Sequence, residues 1–391
     1  MTRAWTHWGT SAHFAALRLP AHDAGTRLEG PSLGRSERGA EFVLDPFDAY
    51  RGGLVTNPNV VVAGSIGAGK STLVKMLVDR ALRRGSRVVI VDPKGEYGAL
   101  ARAHGVQPLV VGRDGWCWPA LGDDRTVYDF VQTILSSAKG TPLSDREHYV
   151  LDRVWATLGS PRPRRLLAAL SSRVSPYLGD PAQGPEHTLA LLLRRFVEGD
   201  LANLYDGAGD AEDFASALVV LDISHYWGSG LLNVAALSAV AAAQQLAQRP
   251  EPGYLIMDEA WALLGDDASL RWLQGSWKLS RSRGISHVLV LHRWSDVAAA
   301  GESGSAAHAR ARGLLRECET AWLFRQPPDE VAEMSVVLGL SEREQRHLSQ
   351  LPRGRALVRY GTARSLVRLT PDERDVTFID TDNAMRDRRA R

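Results

Sequence analysis

Short apolar runs alternate with helical stretches over most of the chain. From residue 57 the pattern is that of a βαβ unit, with an apolar run at 60–63, a glycine-rich turn, a helical stretch at 70–84 and a second apolar run at 88–91. Alternation of this kind is typical of a parallel sheet with helical connections. We therefore predict an α/β fold.

Further apolar runs extend the predicted sheet. They lie at 109–112, 218–223, 254–257, 287–291 and 320–324, and a closing hairpin is predicted from 355–360 and 365–369. Residues 40–50 (AEFVLDPFDAY) alternate like a strand that is followed by a turn. The alanine-rich stretch at 230–247 predicts a long buried helix, because Asn233, Gln244 and Gln245 interrupt it and argue against a membrane span.

The segment between the third and fourth predicted strands has helical periodicity and several prolines, but no strand pattern. We predict that residues 125–205 form an all-helical insertion in an ATPase core made of 41–124 and 206–391. Residues 1–40 show weak periodicity and are interpreted as an N-terminal entry segment.

Composition excludes several classes of protein. With 391 residues, 44% hydrophobic and 24% charged, the chain is unlike collagen, a coiled coil or a disordered protein. The net charge of +2 gives no global sign of a nucleic-acid partner, so any such partner must be met by local charge. Two distant cysteines argue against a disulfide framework or a cysteine-ligated zinc, and the absence of an apolar leader argues against secretion by that route. We expect a cytoplasmic location.

A phosphate-binding motif follows the first predicted strand. The residues Gly64-Ser65-Ile66-Gly67-Ala68-Gly69-Lys70-Ser71 match G-x-x-x-x-G-K-[ST] between a strand and a helix. Small residues let successive backbone N–H groups point into one concavity, where the helix N-terminus also favours phosphate. We predict that Gly64, Ser65, Gly67, Ala68, Gly69, Lys70, Ser71 and Thr72 bind the nucleotide. Lys70 would reach the β- and γ-phosphates, and Ser71 would ligate Mg²⁺. Lys70 is one of only five lysines in the chain.

An acidic pair ends a later strand. The apolar residues 254–257 lead into Asp258 and Glu259, which suit an Mg²⁺ ligand (Walker B) and a general base, respectively. The alternative is an acidic pair that only caps the helix beginning near Ala260. A third element, residues 92–97 (DPKGEY), follows the second strand. Alone it would be a turn, but ligands bind beyond the carboxyl ends of parallel strands, where three polar motifs would meet.

Together these elements resemble the motor domain of the HerA/FtsK superfamily of P-loop ATPases, and most closely the VirB-type ATPases of conjugation and type IV secretion. The resemblance covers residues 42–385 and rests on the ordered set FVLDPFDAY, GSIGAGKST, VVIVDPKGEY, LVVLDISHY and LIMDEAWALL. Trp261 in the last string is typical of the secretion branch. The resemblance implies a RecA-like fold with a mainly parallel central sheet flanked by helices, ATP and Mg²⁺ as cofactors, and ATP hydrolysis.

One position departs from the family pattern. Relatives carry a polar Thr-Gln after the strand that follows Walker B, whereas this chain has Leu291-His292-Arg293. His292 stands where a γ-phosphate-sensing glutamine would stand, and a neutral imidazole can donate one hydrogen bond as glutamine does. The alternative is a structural histidine.

An oligomeric ATPase motor requires a cation that one subunit contributes across the interface to stabilise transition-state charge. The candidates for this cation are Arg281, Arg283 and Arg325. Trp116 and Trp118 are interpreted as packing residues, in preference to stacking on adenine or a nucleic-acid base.

The function that the resemblance implies is a hexameric, ATP-hydrolysing motor for macromolecular transfer of DNA or protein. Its partners would be membrane-embedded transfer subunits at the inner face of the cell membrane, without direct membrane insertion. Relatives carry a large docking domain before the motor, where this sequence has about 40 residues, so we expect docking through a separate subunit or work elsewhere. The alternatives are a DNA translocase or helicase-like motor, and an ATP-gated scaffold with negligible turnover.

Overall fold

A computed structural model describes residues 30–112, 124–159, 165, 166, 168, 184–202, 204, 215–246, 252–264, 267–295 and 306–379. Trp116 and Trp118 lie outside these residues. Within them, we find no helix with the length and hydropathy that a membrane span requires.

Eleven described strands form one mixed sheet. They are β1 (Ser32–Ser36), β2 (Glu41–Val43), β3 (Val60–Ala63), β4 (Arg87–Asp92), β5 (Leu109–Val110), β6 (Leu218–Asp222), β7 (Gly253–Met257), β8 (Ile285–Leu291), β9 (Thr320–Leu323), β10 (Arg355–Tyr360) and β11 (Ala363–Leu369). The order across the sheet is β2-β1-β11-β10-β9-β3-β8-β7-β4-β6-β5. The strands from β9 to β5 in this order are parallel, and β2, β1, β11 and β10 form an antiparallel flank.

The described helices are α1 (Pro46–Arg51), α2 (Lys70–Arg83), α3 (Gly98–Ala103), α4 (Asp124–Lys139), α5 (Asp145–Leu158), α6 (Pro185–Val197), α7 (Leu232–Leu246), α8 (Trp261–Leu264), α9 (Asp267–Lys278), α10 (Ser280–Arg283), α11 (Ala306–Arg316), α12 (Pro328–Leu338), α13 (Glu342–Gln350) and α14 (Val376–Ile379). A short 3₁₀ helix spans Ser224–Tyr226.

The central strands are buried on both faces. Side chains alternate along a strand, and β3 accordingly sends Val61 into one apolar layer and Val62 into another. The first layer contains α7, and the second contains α2. Helices on both faces explain why the strands are continuous apolar runs in the sequence. The α/β prediction with a mainly parallel sheet is therefore confirmed.

Two local features differ from the sequence prediction. The turn expected after the strand in 40–50 is helix α1, which Asp45 caps by accepting hydrogen bonds from the amides of Phe47 and Asp48 (2.8 and 3.2 Å), with Pro46 in the first turn. Strand β1 lies within the segment that we interpreted only as an entry segment, and it pairs with β11. Its sequence, SLGRS, lacks the apolar alternation that identifies a strand.

Helices α4, α5 and α6 lie in the region of the expected insertion. Tyr128 of α4 packs edge-on against Trp155 of α5, with ring centroids 5.2 Å apart, and Phe130 of α4 meets Trp272 of α9 at 6.3 Å. The first contact joins two helices of this region, and the second packs the region against α9.

Candidate ATPase site

The predicted phosphate loop connects β3 to α2 at the carboxyl edge of the sheet. Gly67 and Gly69 have φ angles of 74° and 119°, which an L side chain rarely adopts. The loop is held from outside, because the Ser65 amide donates to the Arg325 carbonyl and the Gly354 amide donates to the Ala68 carbonyl, each at 2.9 Å. Its backbone is therefore fixed by the segment that follows β9 and by the segment that precedes β10.

Lys70 begins α2 and is 3% exposed. Its ammonium donates to the carbonyls of Gly64 (2.6 Å) and Ser65 (3.1 Å), and lies 2.9 Å from Nδ1 of His292. Burial lowers the Lys70 pKa to about 8, against the opposing charges of Asp258 and Glu259. The lysine thus lies at the loop, close to the predicted acidic pair. Ser71 and Thr72 follow it in the first turn of α2, where both are partly exposed.

Asp258 follows β7 and is buried. Its carboxylate accepts a hydrogen bond from the Tyr97 hydroxyl (3.1 Å) and another from the Glu259 amide (3.0 Å). Burial, reinforced by the charges of Glu259 and Glu96, raises the Asp258 pKa to about 6. A buried carboxylate of this kind is stabilised by a divalent cation.

Glu259 has a left-handed backbone, with a φ of 51°, and its side chain is 2% exposed. Such strain costs about 1–3 kcal/mol and persists only where the surroundings fix it. Here the carboxylate accepts hydrogen bonds from Trp261 Nε1 (2.7 Å) and His292 Nε2 (2.5 Å), and it forms an ion pair with Lys94. Burial would raise the Glu259 pKa, but the His292 and Lys94 contacts outweigh it and lower the pKa to about 2.

His292 follows β8 and lies between the phosphate-loop lysine, Lys70, and the acidic residue Glu259. Its Nε2 faces Glu259 and its Nδ1 faces Lys70. A neutral imidazole protonated at Nε2 satisfies both contacts, because Nε2–H donates to the carboxylate while Nδ1 accepts from the ammonium. The contact between Lys94 Nζ and Nε2 at 3.3 Å is then a close approach without a hydrogen bond.

The DPKGEY loop after β4 brings Lys94 to Glu259. Asp92 organises the loop, because its carboxylate accepts from the amides of Lys94 (3.3 Å), Glu96 (3.1 Å) and Tyr97 (3.0 Å). Burial raises the Asp92 pKa to about 7. The Lys94 ammonium also lies 4.9 Å from the centre of the Trp227 ring.

Sequence reasoning assigned no role to Lys94, Tyr97 or Trp227. The structure brings all three to the acidic pair: Lys94 contacts Glu259, Tyr97 contacts Asp258, and Trp227 packs edge-on against Trp261 at 5.9 Å. For Lys94, the sequence did offer a signal: lysine is rare in this chain, and DPKGEY follows the end of a predicted strand.

The three arginine candidates lie at two edges of the sheet. Arg325 follows β9 beside the phosphate loop, and its side chain is exposed. Arg281 and Arg283 lie in α10, which precedes β8 and is therefore at the opposite edge from the loop of the same chain. Their assignment as cations that act across a subunit interface stays a prediction.

Residues 56–169 match a family model described as the central domain of helicase HerA. A search of the curated proteins finds no sequence that is significantly similar to the chain. Among solved structures, VirB4 of Thermoanaerobacter pseudethanolicus is similar with a TM-score of 0.75 and 22% identity, over 89% of this chain and 98% of that one. The fold is that of a RecA-like P-loop ATPase.

Two further structures have the same fold. The bacterial conjugative coupling protein TrwBdeltaN70 is similar with a TM-score of 0.60 and 17% identity, over 91% of this chain and 93% of that one. The plasmid coupling protein TrwB in complex with ADP and Mg²⁺ is similar with a TM-score of 0.55 and 17% identity, over 90% and 91%. The resemblance predicted from the sequence is confirmed as a similarity to HerA over residues 56–169 and as a fold shared with VirB4 and TrwB.

The donor set of the site fits a magnesium nucleotide. Mg²⁺ prefers oxygen ligands and keeps several waters, so one hydroxyl, one carboxylate and the phosphates suffice. Ser71 and Asp258 supply such oxygens at the carboxyl edge, and β3 and β7 are separated there by β8 alone. In the described residues there is no cluster of three or more His, Cys, Asp or Glu that could hold a metal without such help.

Proposed function

We propose that the chain is an ATP-hydrolysing motor for macromolecular transfer of DNA or protein, of the kind found in conjugation and type IV secretion. The observation that carries this proposal is the chain of contacts from Lys70 through His292 to Glu259 and Lys94. It connects the phosphate loop to the Glu259 carboxylate, which is the predicted general base.

In this proposal each residue has a separate task. Lys70 neutralises the β- and γ-phosphates, and its present acceptors, the carbonyls of Gly64 and Ser65, belong to the same loop. Ser71 and Asp258 would hold Mg²⁺, which would stabilise the charge that develops on the phosphates. Glu259 orients the attacking water and takes up its proton, while Trp261 and His292 fix the carboxylate.

The ion pair with Lys94 must loosen for Glu259 to act as a base. A carboxylate with a pKa near 2 accepts protons poorly, and the contacts with His292 and with the Lys94 ammonium both lower that pKa. The Lys94 side chain is 28% exposed, so it can leave the carboxylate without crossing a packed core. The expected cycle therefore includes movement of the DPKGEY loop relative to β7.

The same ion pair favours a second candidate function, an ATP-gated scaffold that binds nucleotide and turns over negligibly. If Lys94 stays on Glu259, the base stays weak and hydrolysis is slow. Steady-state and single-turnover hydrolysis, each measured with and without DNA, separate the two functions. Turnover no faster than about one per hour, with nucleotide bound stoichiometrically, would establish the scaffold and contradict the motor.

We also propose the assembly that the resemblance implies: a hexamer that works with membrane-embedded transfer subunits at the cytoplasmic face, with 41–124 and 206–391 as its core and 125–205 as an insertion. An arginine among Arg281, Arg283 and Arg325 would act on a neighbour's nucleotide. Mixing an inactive arginine variant with Glu259→Gln subunits should restore part of the activity, because some interfaces then pair an intact arginine with an intact glutamate. A fully active monomer at all concentrations would contradict the ring.

A further inference from the structure

Two neighbouring residues after β9 contact both partners of the Lys70 ammonium. The Arg325 carbonyl accepts a hydrogen bond from the Ser65 amide of the phosphate loop, at 2.9 Å. The next side chain, that of Gln326, donates through Nε2 to the carbonyl of His292, at 3.3 Å. Ser65 and His292 both contact the Lys70 ammonium. The segment after β9 therefore holds the phosphate loop and the His292 backbone in one arrangement.

The Gln326 side chain is buried, although one of its two polar atoms has no partner among the described residues. Gln326 is 1% exposed, and it lies between two exposed residues, Arg325 and Pro327. Its Oε1 atom accepts no hydrogen bond from the part of the chain that the structure describes. If the amide were turned around, Oε1 would face the His292 carbonyl, acceptor to acceptor. The orientation with Nε2 on that carbonyl is therefore the favourable one.

A glutamine in this place gains little for folding. Its burial restricts a flexible side chain, and a buried acceptor without a partner carries the penalty of lost hydration. A methionine of similar shape would remove that acceptor and leave the carbonyl of His292 unpaired instead. The side chain of His292 is 22% exposed, so water is near that carbonyl. A buried polar group that folding does not require points to a role in function.

The segment after β8 is anchored at two points. Its far anchor is Ser295, whose amide and hydroxyl both donate to the Glu330 carboxylate on α12, at 2.8 and 2.6 Å. Its near anchor is the Gln326 amide on the His292 carbonyl. The imidazole contacts its carboxylate and ammonium partners at 2.5 and 2.9 Å, so a shift of the backbone at this point would break or lengthen both contacts.

We propose that Gln326 is a positioning residue for ATP hydrolysis and that it acts through His292. Its amide fixes the backbone from which the imidazole reaches Glu259, and it thereby keeps the predicted general base in register with the phosphate loop. This inference rests on the proposed function, because it concerns the same hydrolytic site.

The test replaces Gln326 by methionine in the full chain, with Gln326→Leu as a second apolar variant. Gln244→Met is the matched control, because Gln244 is also a buried glutamine and its Nε2 atom donates to Ser276 on α9. Single-turnover hydrolysis, ATP affinity and the midpoint of denaturant unfolding are measured for each chain. Nitrogen NMR spectra of histidine-labelled chains, recorded without nucleotide, report on the His292 ring, whose signals are assigned by their loss in His292→Gln.

We expect Gln326→Met to lower single-turnover hydrolysis at least about fivefold, because small misplacements of catalytic groups are costly. ATP affinity should change less than about threefold, as for a contact that matters mainly in the transition state. The unfolding midpoint should equal or exceed that of wild type. Gln244→Met should do the reverse, with a lower midpoint and hydrolysis within about twofold of wild type, because it removes a paired buried hydrogen bond.

Two further readouts distinguish positioning from a general effect on the fold. In a His292→Leu background, Gln326→Met should cause no further loss of hydrolysis, because the two residues then act as one unit. In the spectra without nucleotide, Gln326→Met should shift the His292 ring signals and speed the exchange of the Nε2 proton with water. Gln244→Met should leave those signals in place.

Wild-type hydrolysis and an unchanged His292 spectrum in both Gln326 variants would overturn the proposal. A lower unfolding midpoint in both variants would overturn it in favour of a structural glutamine. Additive losses in the double variant would show that Gln326 acts by a route other than His292 and would also overturn it. A wild-type chain that does not hydrolyse ATP would contradict the proposed function instead, and the His292 spectrum would still decide whether Gln326 positions the imidazole.

Discussion

Replacing Glu259 by glutamine separates binding from chemistry within one buried hydrogen-bond set. The change keeps the shape of the side chain but removes its charge and its ability to accept a proton. General-base catalysis contributes about 10²- to 10⁴-fold to a rate. We therefore expect Glu259→Gln to lower single-turnover hydrolysis by about that factor, while ATP affinity changes less than about threefold, because Lys70 and the loop amides are untouched.

The structure also gives the cost of this change to stability. The Glu259 carboxylate accepts from three donors, on Trp261, His292 and Lys94. A glutamine side chain has one oxygen and one amide nitrogen, so in either orientation its NH₂ group faces a donor. One buried donor loses its acceptor, at about 1–3 kcal/mol. Lys94 limits the loss, because its partly exposed ammonium can turn to water.

The assay is single-turnover hydrolysis together with nucleotide titration and denaturant unfolding, on wild type and Glu259→Gln. Glu96→Gln is the matched control, because it neutralises a nearby carboxylate that lies outside this hydrogen-bond set. Hydrolysis within about threefold of wild type in Glu259→Gln would refute the reasoning. Water would then be oriented by another group, and Asp258 and Glu259 would be a helix start only.

Three other changes test separate parts of the molecule. Lys70→Ala should abolish ATP binding as well as hydrolysis, and nucleotide affinity within twofold of wild type in an equilibrium titration would contradict the loop assignment. Asp375→Asn should lower the free energy of unfolding by about 3 kcal/mol, because the buried Arg80 loses its close bidentate partner and keeps only the longer ion pair with Asp372, at 3.8 Å. The exposed bidentate pair of Asp200 is the control, where Asp200→Asn should cost less than about 1 kcal/mol. His287 is buried with its pKa lowered to about 3, from 6.5, by burial and then by a neighbouring arginine. Between these two pH values His287 binds a proton in the unfolded chain but not in the folded chain. The free energy of unfolding therefore falls as the pH drops, by about 2 kcal/mol from pH 6.5 to 5. Denaturant unfolding at pH 6.5 and at pH 5 should show that His287→Gln removes this loss.

The parallel part of the sheet was predictable because each of its strands is buried on both faces. Such strands are continuous apolar runs, and β3, β4 and β7 were predicted within a residue of their bounds. Strand β1 was not predictable in this way, because the segment SLGRS is held as a strand by its pairing with β11 and β2. The pairing with β11 joins segments more than 300 residues apart, and no local pattern encodes it.

The residues of the site were predictable by motif, but their partners were not. Lys94 and Glu259 each follow a strand, and the sequence shows that much. Their contact depends on β4 lying next to β7, although β5 and β6 come between them along the chain. Spatial order of strands is set by the packing of the connecting helices, so the ion pair emerges only from the fold.

His292 illustrates how one position can depart from a family pattern and keep its task. A glutamine there would present an acceptor oxygen to Lys70 and a donor nitrogen to Glu259, which is the pattern that the neutral imidazole makes. We therefore expect His292→Gln to retain hydrolysis within about threefold of wild type. His292→Leu removes both contacts and leaves a buried carboxylate with one donor fewer, so hydrolysis should fall by at least about tenfold. We would measure the single-turnover rates and the ATP affinities of the two variants and compare them with wild type. Wild-type rates in both variants would make His292 a structural residue. An equal loss of rate in both variants would show that the imidazole itself is required.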